Sequence, residues 1–187
     1  FSRFGQVVIL VLMQLGGLGI MSLAAATSQL LGRGVGMRES RLVREVFQLP
    51  LLQDVGVMLR FILLWTLAAE AVGTAVLYVQ LAPVVPAPGE RLFVALFHAV
   101  SGFCNAGFST FGDSLVGWAA YPSTVLTMAL LLILGGLGFT VVANVLGAAR
   151  ARLARRPRSQ RPRLTVQTRV TLLGTAALLG GGTALLP

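Results

Sequence analysis

Long apolar stretches alternate with short polar ones along the whole chain. Four of them, at 6–31, 55–79, 122–146 and 166–186, reach the roughly 20 residues that a helix needs to cross a hydrocarbon core of about 30 Å. Few charged residues interrupt them. The pattern therefore predicts an all-α integral membrane protein that crosses the membrane several times.

A fifth apolar stretch, ERLFVALFHAVSGF at 90–103, is too short to cross. It follows the helix breakers Pro86, Pro88 and Gly89, and at 1.5 Å per residue its helix reaches only about 21 Å. We expect a re-entrant pore helix that enters and leaves on one side, where protein or a water-filled cavity surrounds it. A helix lying flat on the outer membrane surface is the alternative.

The arginines separate two sides of the membrane. The 187 residues carry a net charge of +9, and all fifteen basic residues are arginine. The connection 32–50 holds four of them and 147–165 holds seven, whereas 80–121 holds one. By the positive-inside rule, the first two connections are cytoplasmic and the third is external. Since no basic face lies outside these loops, we expect a lipid bilayer as partner and no nucleic acid.

Composition also excludes several classes of enzyme. One cysteine, Cys104, and one histidine, His98, provide neither a disulfide framework nor a zinc cluster. The chain has no lysine for a P-loop and no nucleophile elbow around Ser101. We therefore expect neither enzyme activity nor a covalently bound cofactor.

A short glycine-rich motif occurs twice. LGGLGI at 15–20 recurs as LGGLGF at 134–139, an offset of 119 residues. Two crossings separate the copies, so both run in the same direction, which indicates a parallel repeat about an axis along the membrane normal. Close packing of helices is the alternative role of these glycines. The six are Gly16, Gly17, Gly19, Gly135, Gly136 and Gly138.

The loop that follows the short helix, CNAGF at 104–108, is the candidate ion-binding segment. Chain that turns at membrane depth leaves carbonyl groups without partners, and a desolvated cation can take their place. Gly107 permits a positive φ, and the helix C-terminus favours a cation over an anion. An ordinary external turn is the alternative. The backbone ligands would come from Cys104, Asn105, Ala106, Gly107 and Phe108, with the ion at Asn105, Ala106 and Gly107.

Three further polar residues are candidates for supporting roles. Glu70 is a carboxylate inside the second predicted span. Because a charge is costly there, the residue is a functional candidate by default. Either it braces the loop through hydrogen bonds or it lines the ion path. His98 and Ser101 lie on the short helix and are expected behind the loop.

Four segments carry a resemblance to a known family: GQVVILVLMQLGGLGIMSLAA, LFHAVSGFCNAGFSTFGDSL, LLLILGGLGFTVVANV and RLTVQTRVTLLGTAALL. In this order they resemble the TrkH/KtrB subunits of bacterial Trk and Ktr potassium-uptake systems. The resemblance implies four helix, pore-loop, helix repeats around one pore in the bacterial plasma membrane. It also implies K⁺ as the transported ion, with coupling to Na⁺ left open, a homodimer of the full-length subunit, and a cytoplasmic RCK regulatory subunit of the KtrA/TrkA type.

The same resemblance divides the chain into parts. Residues 1–31 correspond to the closing helix of the first repeat, 51–146 to the complete second repeat with its filter at 104–108, and 166–187 to the opening helix of the third. Cytoplasmic linkers occupy 32–50 and 147–165. One filter strand is present where the family uses four, so the sequence as given is not expected to conduct alone. Two alternatives stay open: a secondary transporter with a midplane substrate site, and an inactive truncated fragment.

Overall fold

The computed structural model describes residues 2–34, 55–118, 120–155, 157 and 162–185, and every regular element in them is helical. This confirms the predicted all-α fold class. The linker predicted at 32–50 lies almost entirely outside the described residues. The α-helices are α1 (Arg3–Gly34), α2 (Val55–Gln80), α3 (Pro88–Phe103), α4 (Pro122–Gly136), α5 (Phe139–Leu153) and α6 (Val166–Leu185), with a short 3-10 turn at Val116–Trp118.

The described residues divide into two compact units, one within 2–34 and 55–136 and the other within 137–185. In the first unit, α3 contacts α1, α2 and α4. Its main apolar core joins α2, α3 and α4 to the 3-10 turn, and its buried members are Leu77, Leu81, Val94, Ala95, Ala99, Trp118 and Leu131.

Helix α3 is the short apolar helix that the sequence predicted at 90–103. It begins two residues earlier, because Pro88 suits the first helical turn and Glu90 complements the positive helix N-terminus. All its residues from 94 to 103 except Leu96 are buried. The C-terminal half of α3 is therefore surrounded by protein, as a re-entrant helix requires.

The predicted crossings are matched unevenly by the described helices. By length and composition, Leu59–Gln80 within α2 is the one described stretch that could cross a membrane by itself. The apolar part of α1, Arg3–Gly19, is shorter, and α4 and α5 qualify only as one interrupted span. The predicted four crossings therefore stay a prediction.

The third predicted helix, 122–146, is interrupted. Helix α4 ends at Gly136 and α5 begins at Phe139, because Gly138 has φ 78° and ψ 149°, outside the helical region. After the break, α5 continues to Leu153, past the predicted start of the linker 147–165.

In the second unit, α5 and α6 are joined through a buried asparagine. The Asn144 side chain accepts a hydrogen bond from the Thr165 amide at 3.1 Å and donates one to the Arg163 carbonyl at 3.4 Å. Thr165 in turn caps α6, since its hydroxyl accepts from the Thr168 amide at 3.2 Å. This contact fixes the chain that leads into α6.

Candidate functional site

Helix α3 ends in a Schellman motif at the start of the candidate loop. The Ala106 amide donates to the Ser101 carbonyl at 2.9 Å and the Asn105 amide donates to Gly102 at 3.2 Å. Asn105 occupies the left-handed position of the motif, with φ 54°. The last carbonyls of α3 are thus paired.

The open carbonyls lie one step further along the chain. Among the described residues, no hydrogen bond reaches the carbonyl oxygens of Cys104, Asn105, Ala106 or Gly107. Gly107 has φ 73°, so positive φ values at 105 and 107 flank an ordinary one at 106. This backbone is not that of a β-strand. We call residues 104–108 the filter strand, after the role that the sequence analysis predicts for them.

Two hydroxyl groups tie the far end of the filter strand to α3. The Ser101 hydroxyl donates to the Phe108 carbonyl at 2.7 Å. Ser109, the next residue, lies 3.1 Å from the Nε2 atom of His98. The strand therefore starts and ends on the same helix.

His98 is fully buried and its protonation follows from its partners. Its Nδ1 lies 2.8 Å from the Val94 carbonyl, which can only accept, so Nδ1 carries the proton. In the neutral ring Nε2 accepts from the Ser109 hydroxyl, whose oxygen also lies 3.4 Å from the Ser114 carbonyl. The ring stacks on Phe111 at a centroid distance of 5.3 Å and lies tilted against Trp118 at 5.5 Å. Through Ser109, His98 thus anchors the loop that follows residue 108.

Glu70 lies behind the start of the filter strand. Its carboxylate accepts a hydrogen bond from Gln14 Nε2 at 3.1 Å, and its other oxygen lies 3.9 Å from the Cys104 thiol. The side chain is only 3% exposed. Of the two roles left open by the sequence, this geometry fits bracing.

Comparison with known proteins now identifies the family. A family model named TrkH, described as a cation transport protein, matches residues 1–182. The chain belongs to the TrkH family. The resemblance seen in the four sequence segments is confirmed, and so is the expectation that the chain is not an enzyme, since this is a family of membrane transporters.

Three relatives of this TrkH-family chain are potassium-uptake proteins by name. Ktr system potassium uptake protein B of Bacillus subtilis (strain 168) is 38% identical over 148 residues, which cover 78% of this chain and 33% of that protein. The protein of the same name from Vibrio alginolyticus is 34% identical over 187 residues, covering 99% and 39%. Potassium/sodium uptake protein NtpJ of Enterococcus hirae is 29% identical over 182 residues, covering 97% and 38%. The chain spans between a third and two fifths of the length of these relatives.

Both copies of the glycine motif of this TrkH-family chain touch the filter strand. A Cβ at Gly17 would lie 2.5 Å from the Cys104 sulfur, and a Cβ at Gly135 would overlap the Phe103 carbonyl oxygen. Such close approach requires glycine, since a real Cβ would need the neighbour to move. A Cβ at Gly136 would make an ordinary van der Waals contact, 3.9 Å from Asn105 Nδ2. No described atom lies within 4 Å of a Cβ built at the other three, Gly16, Gly19 and Gly138.

Asn105 links the filter strand to α4. Its side-chain amide donates to the Phe103 carbonyl at 3.2 Å and to the Leu132 carbonyl at 3.3 Å. The second of these bonds joins the strand to the helix that carries Gly135. The sequence assigned Asn105 only a backbone role, and these two bonds add a side-chain one.

A cavity of about 440 Å³ lies beside the filter strand. Its walls are largely apolar and come from α1, α2, α3, α4 and the strand itself. Glu70 does not line it. The lining residues are Ile9, Leu12, Met13, Gly16, Gly17, Thr66, Phe103, Cys104, Asn105, Ala106, Phe108 and Gly135.

Sequence reasoning missed two members of the site, Gln14 and Ser109. Gln14 is an uncharged polar residue inside a predicted span, and that signal was present in the sequence. Ser109 lies one residue beyond the predicted strand, and no local pattern connects it to His98, eleven residues earlier.

Proposed function

We propose that the full-length protein takes up K⁺ across the bacterial plasma membrane and that residues 104–108 are one strand of its selectivity filter. The observation that carries this proposal is the set of carbonyl oxygens at 104–107 that no described donor reaches. In this role, the carbonyls of Asn105, Ala106 and Gly107 replace the water shell of the ion.

Energetics supports a cation at this place. An unpaired carbonyl at membrane depth costs several kcal/mol, about as much as a lost hydrogen bond in hydrocarbon. A K⁺ ion shared by several strands removes that cost. The C-terminus of α3 directs its partial negative charge toward the same strand, which favours a cation over an anion.

Fixed geometry also supports a filter. The Schellman motif at Asn105, the Ser101 hydroxyl on Phe108 and the His98–Ser109 contact attach the strand to a buried helix at three points. The alternation of φ at 105–107 lets neighbouring carbonyl groups turn toward one side. A coordinating strand needs both properties, because its carbonyls must hold one ion together.

The domain assignment follows from the same proposal. The N-terminal end of α3 is exposed and its C-terminal half is enclosed, which suits a helix entering from the external face. Residues 1–31 then close the first repeat, 51–146 form the second with an interruption at Gly138, and 166–187 open the third. The remainder of the full-length protein supplies the other three strands.

Partners and ions are inferred from the relatives. Two of them are named as parts of a Ktr system, which supports a multi-component assembly. The cytoplasmic RCK subunit of the KtrA/TrkA type is proposed from the family resemblance. The homodimer is proposed from the family resemblance alone. The relative named for potassium and sodium supports transport of K⁺ and leaves a role for Na⁺ open.

The test uses Gly107→Ser in the full-length protein, expressed in cells that lack K⁺ uptake. A side chain at φ 73° is strained, so the strand moves. We expect at least a tenfold rise in the KM for Rb⁺ and weaker discrimination against Na⁺. Gly112→Ser is the matched control, since it lies in the same loop with open space and no positive φ. Unchanged affinity and discrimination in Gly107→Ser would remove the filter assignment.

One observation favours a rival function. The interrupted helix at Gly138 resembles the broken helices at which secondary transporters bind substrate. In that case Gly138→Ala, and not Gly107→Ser, would change the KM for the transported ion. Measuring both variants in the same cells decides between the two functions.

A further inference from the structure

A polar contact network lies directly behind the first residue of the filter strand. It joins Gln14 of α1, Glu70 of α2 and the thiol of Cys104. We propose that Gln14 and Glu70 are a positioning pair that sets the placement of Cys104 and thereby the preference of the strand among monovalent cations. This inference rests on the proposed filter function.

Among the residues that the structure describes, few hydrogen-bond partners reach the carboxylate of Glu70. Gln14 Nε2 donates to one oxygen at 3.1 Å, and the thiol of Cys104 faces the other at 3.9 Å. Thr74 does not assist, because its hydroxyl donates to the backbone carbonyl of Glu70. Burying a carboxylate that a single amide stabilises costs free energy of desolvation. Such a residue is therefore a candidate for a functional role.

The thiol of Cys104 is confined from two sides. Gly17 lies against it on α1, where even a methyl carbon would approach the sulfur to 2.5 Å, and Glu70 faces it from α2. Gln14 and Gly17 are three residues apart, so one face of α1 presents both the donor for Glu70 and the surface for the thiol. Residues of both α1 and α2 thus contact the Cys104 side chain.

Placement of Cys104 determines the start of the filter strand. It is the last residue before the left-handed Asn105, and its own carbonyl is the first that no described donor reaches. Glu70 does not line the cavity, and its contact with the filter strand is made through the Cys104 thiol. Loosening the pair shifts the first carbonyl and changes ion affinity more than maximal rate.

The first experiment measures Rb⁺ uptake by the full-length protein in cells that lack K⁺ uptake. We expect Gln14→Ala and Glu70→Ala each to raise the KM at least threefold, with maximal rate per membrane-inserted protein within twofold of wild type. The double variant should equal Glu70→Ala, since both changes remove one contact. Glu70→Gln keeps the oxygen that accepts from Gln14 and should stay within twofold in KM.

Gln80→Ala is the matched control. It removes a side-chain hydrogen bond of the same length, 3.1 Å to Thr127, between α2 and α4 and away from the filter strand. Its KM should equal that of wild type. A merely structural role for Glu70 would lower the abundance or the maximal rate of Glu70→Ala and leave its KM unchanged.

The second experiment does not depend on uptake. In the full-length protein with all other cysteines replaced, the rate of Cys104 alkylation by N-ethylmaleimide is measured in isolated membranes. Gln14→Ala and Glu70→Ala should raise this rate at least threefold, because the thiol loses its confinement, and Gln80→Ala should not change it. If wild type takes up no Rb⁺, the proposed function fails and alkylation still tests the pair. If wild type takes up Rb⁺ and the variants keep its KM and alkylation rate, this inference is wrong and the filter proposal stands.

Discussion

The two copies of the glycine motif have nearly the same letters and different structures. The first, 15–20, lies inside the uninterrupted helix α1, whereas the second, 134–139, contains the end of α4 and the break at Gly138. Both nevertheless touch the turn at the end of α3, the first at Cys104 and the second at Phe103. What the copies share is therefore close approach to the turn at the end of α3, not a backbone conformation.

The positions that make the approach also differ. In the first copy the second glycine, Gly17, faces a side chain, and in the second copy the first glycine, Gly135, faces a backbone oxygen. A side chain can rotate away from an added methyl group, and a carbonyl fixed at a helix end cannot. The second copy should therefore tolerate less change, and each glycine has a matched partner in the other copy to measure this.

The largest effect is expected for Gly135→Ala. Its methyl group would overlap the Phe103 carbonyl, so α4 must separate from α3 and break the bond from Asn105 to Leu132. We expect the free energy of unfolding to fall by about 3 kcal/mol or more. In the full-length protein this should reduce both the abundance in the membrane and K⁺ uptake. Gly16→Ala, at the same place in the first copy, meets no described atom within 4 Å and should retain both. Equal behaviour of the two variants would contradict the asymmetry.

At the third glycine of each copy, substitution by alanine should change stability by an intermediate amount and in opposite directions. Gly138→Ala forces a side chain into φ 78°, ψ 149°, a region that only glycine occupies readily, and should cost about 1–3 kcal/mol. Gly19→Ala lies within a helix, where alanine is favoured over glycine by about 1 kcal/mol, and should stabilise. Thermal unfolding in detergent measures both changes. Stabilisation by Gly138→Ala would mean that the break is not held by this glycine.

Much of this arrangement could be predicted from local sequence. The short helix α3 followed from its breakers and length, and the positive φ of Gly107 from the need to turn. The break at Gly138 could not be predicted, because an almost identical hexapeptide stays helical in α1 and only the surroundings differ. The Gln14–Glu70 bond joins residues 56 apart on two helices, and such pairing depends on how helices pack, which periodicity within each helix does not specify.

The smallest effect, and the most specific, is expected at the second glycine. In Gly17→Ala, the higher helix propensity of alanine stabilises the protein by about 1 kcal/mol. Crowding of the Cys104 sulfur destabilises it by about 1–3 kcal/mol. The net loss is about 1 kcal/mol. Gly136→Ala, its counterpart, meets Asn105 at ordinary distance and should change stability less.

The source of that crowding can be tested directly, because the obstacle at Gly17 is a single sulfur atom. Cys104→Ala removes it, so Gly17→Ala introduced into the Cys104→Ala protein should be neutral or stabilising, as measured by thermal unfolding in detergent. The same background should not rescue Gly135→Ala, whose obstacle is the backbone of Phe103. If Cys104→Ala rescued both glycine variants, or neither, α1 and α4 would not approach the filter strand through different atoms, and the contrast between the two copies would be lost.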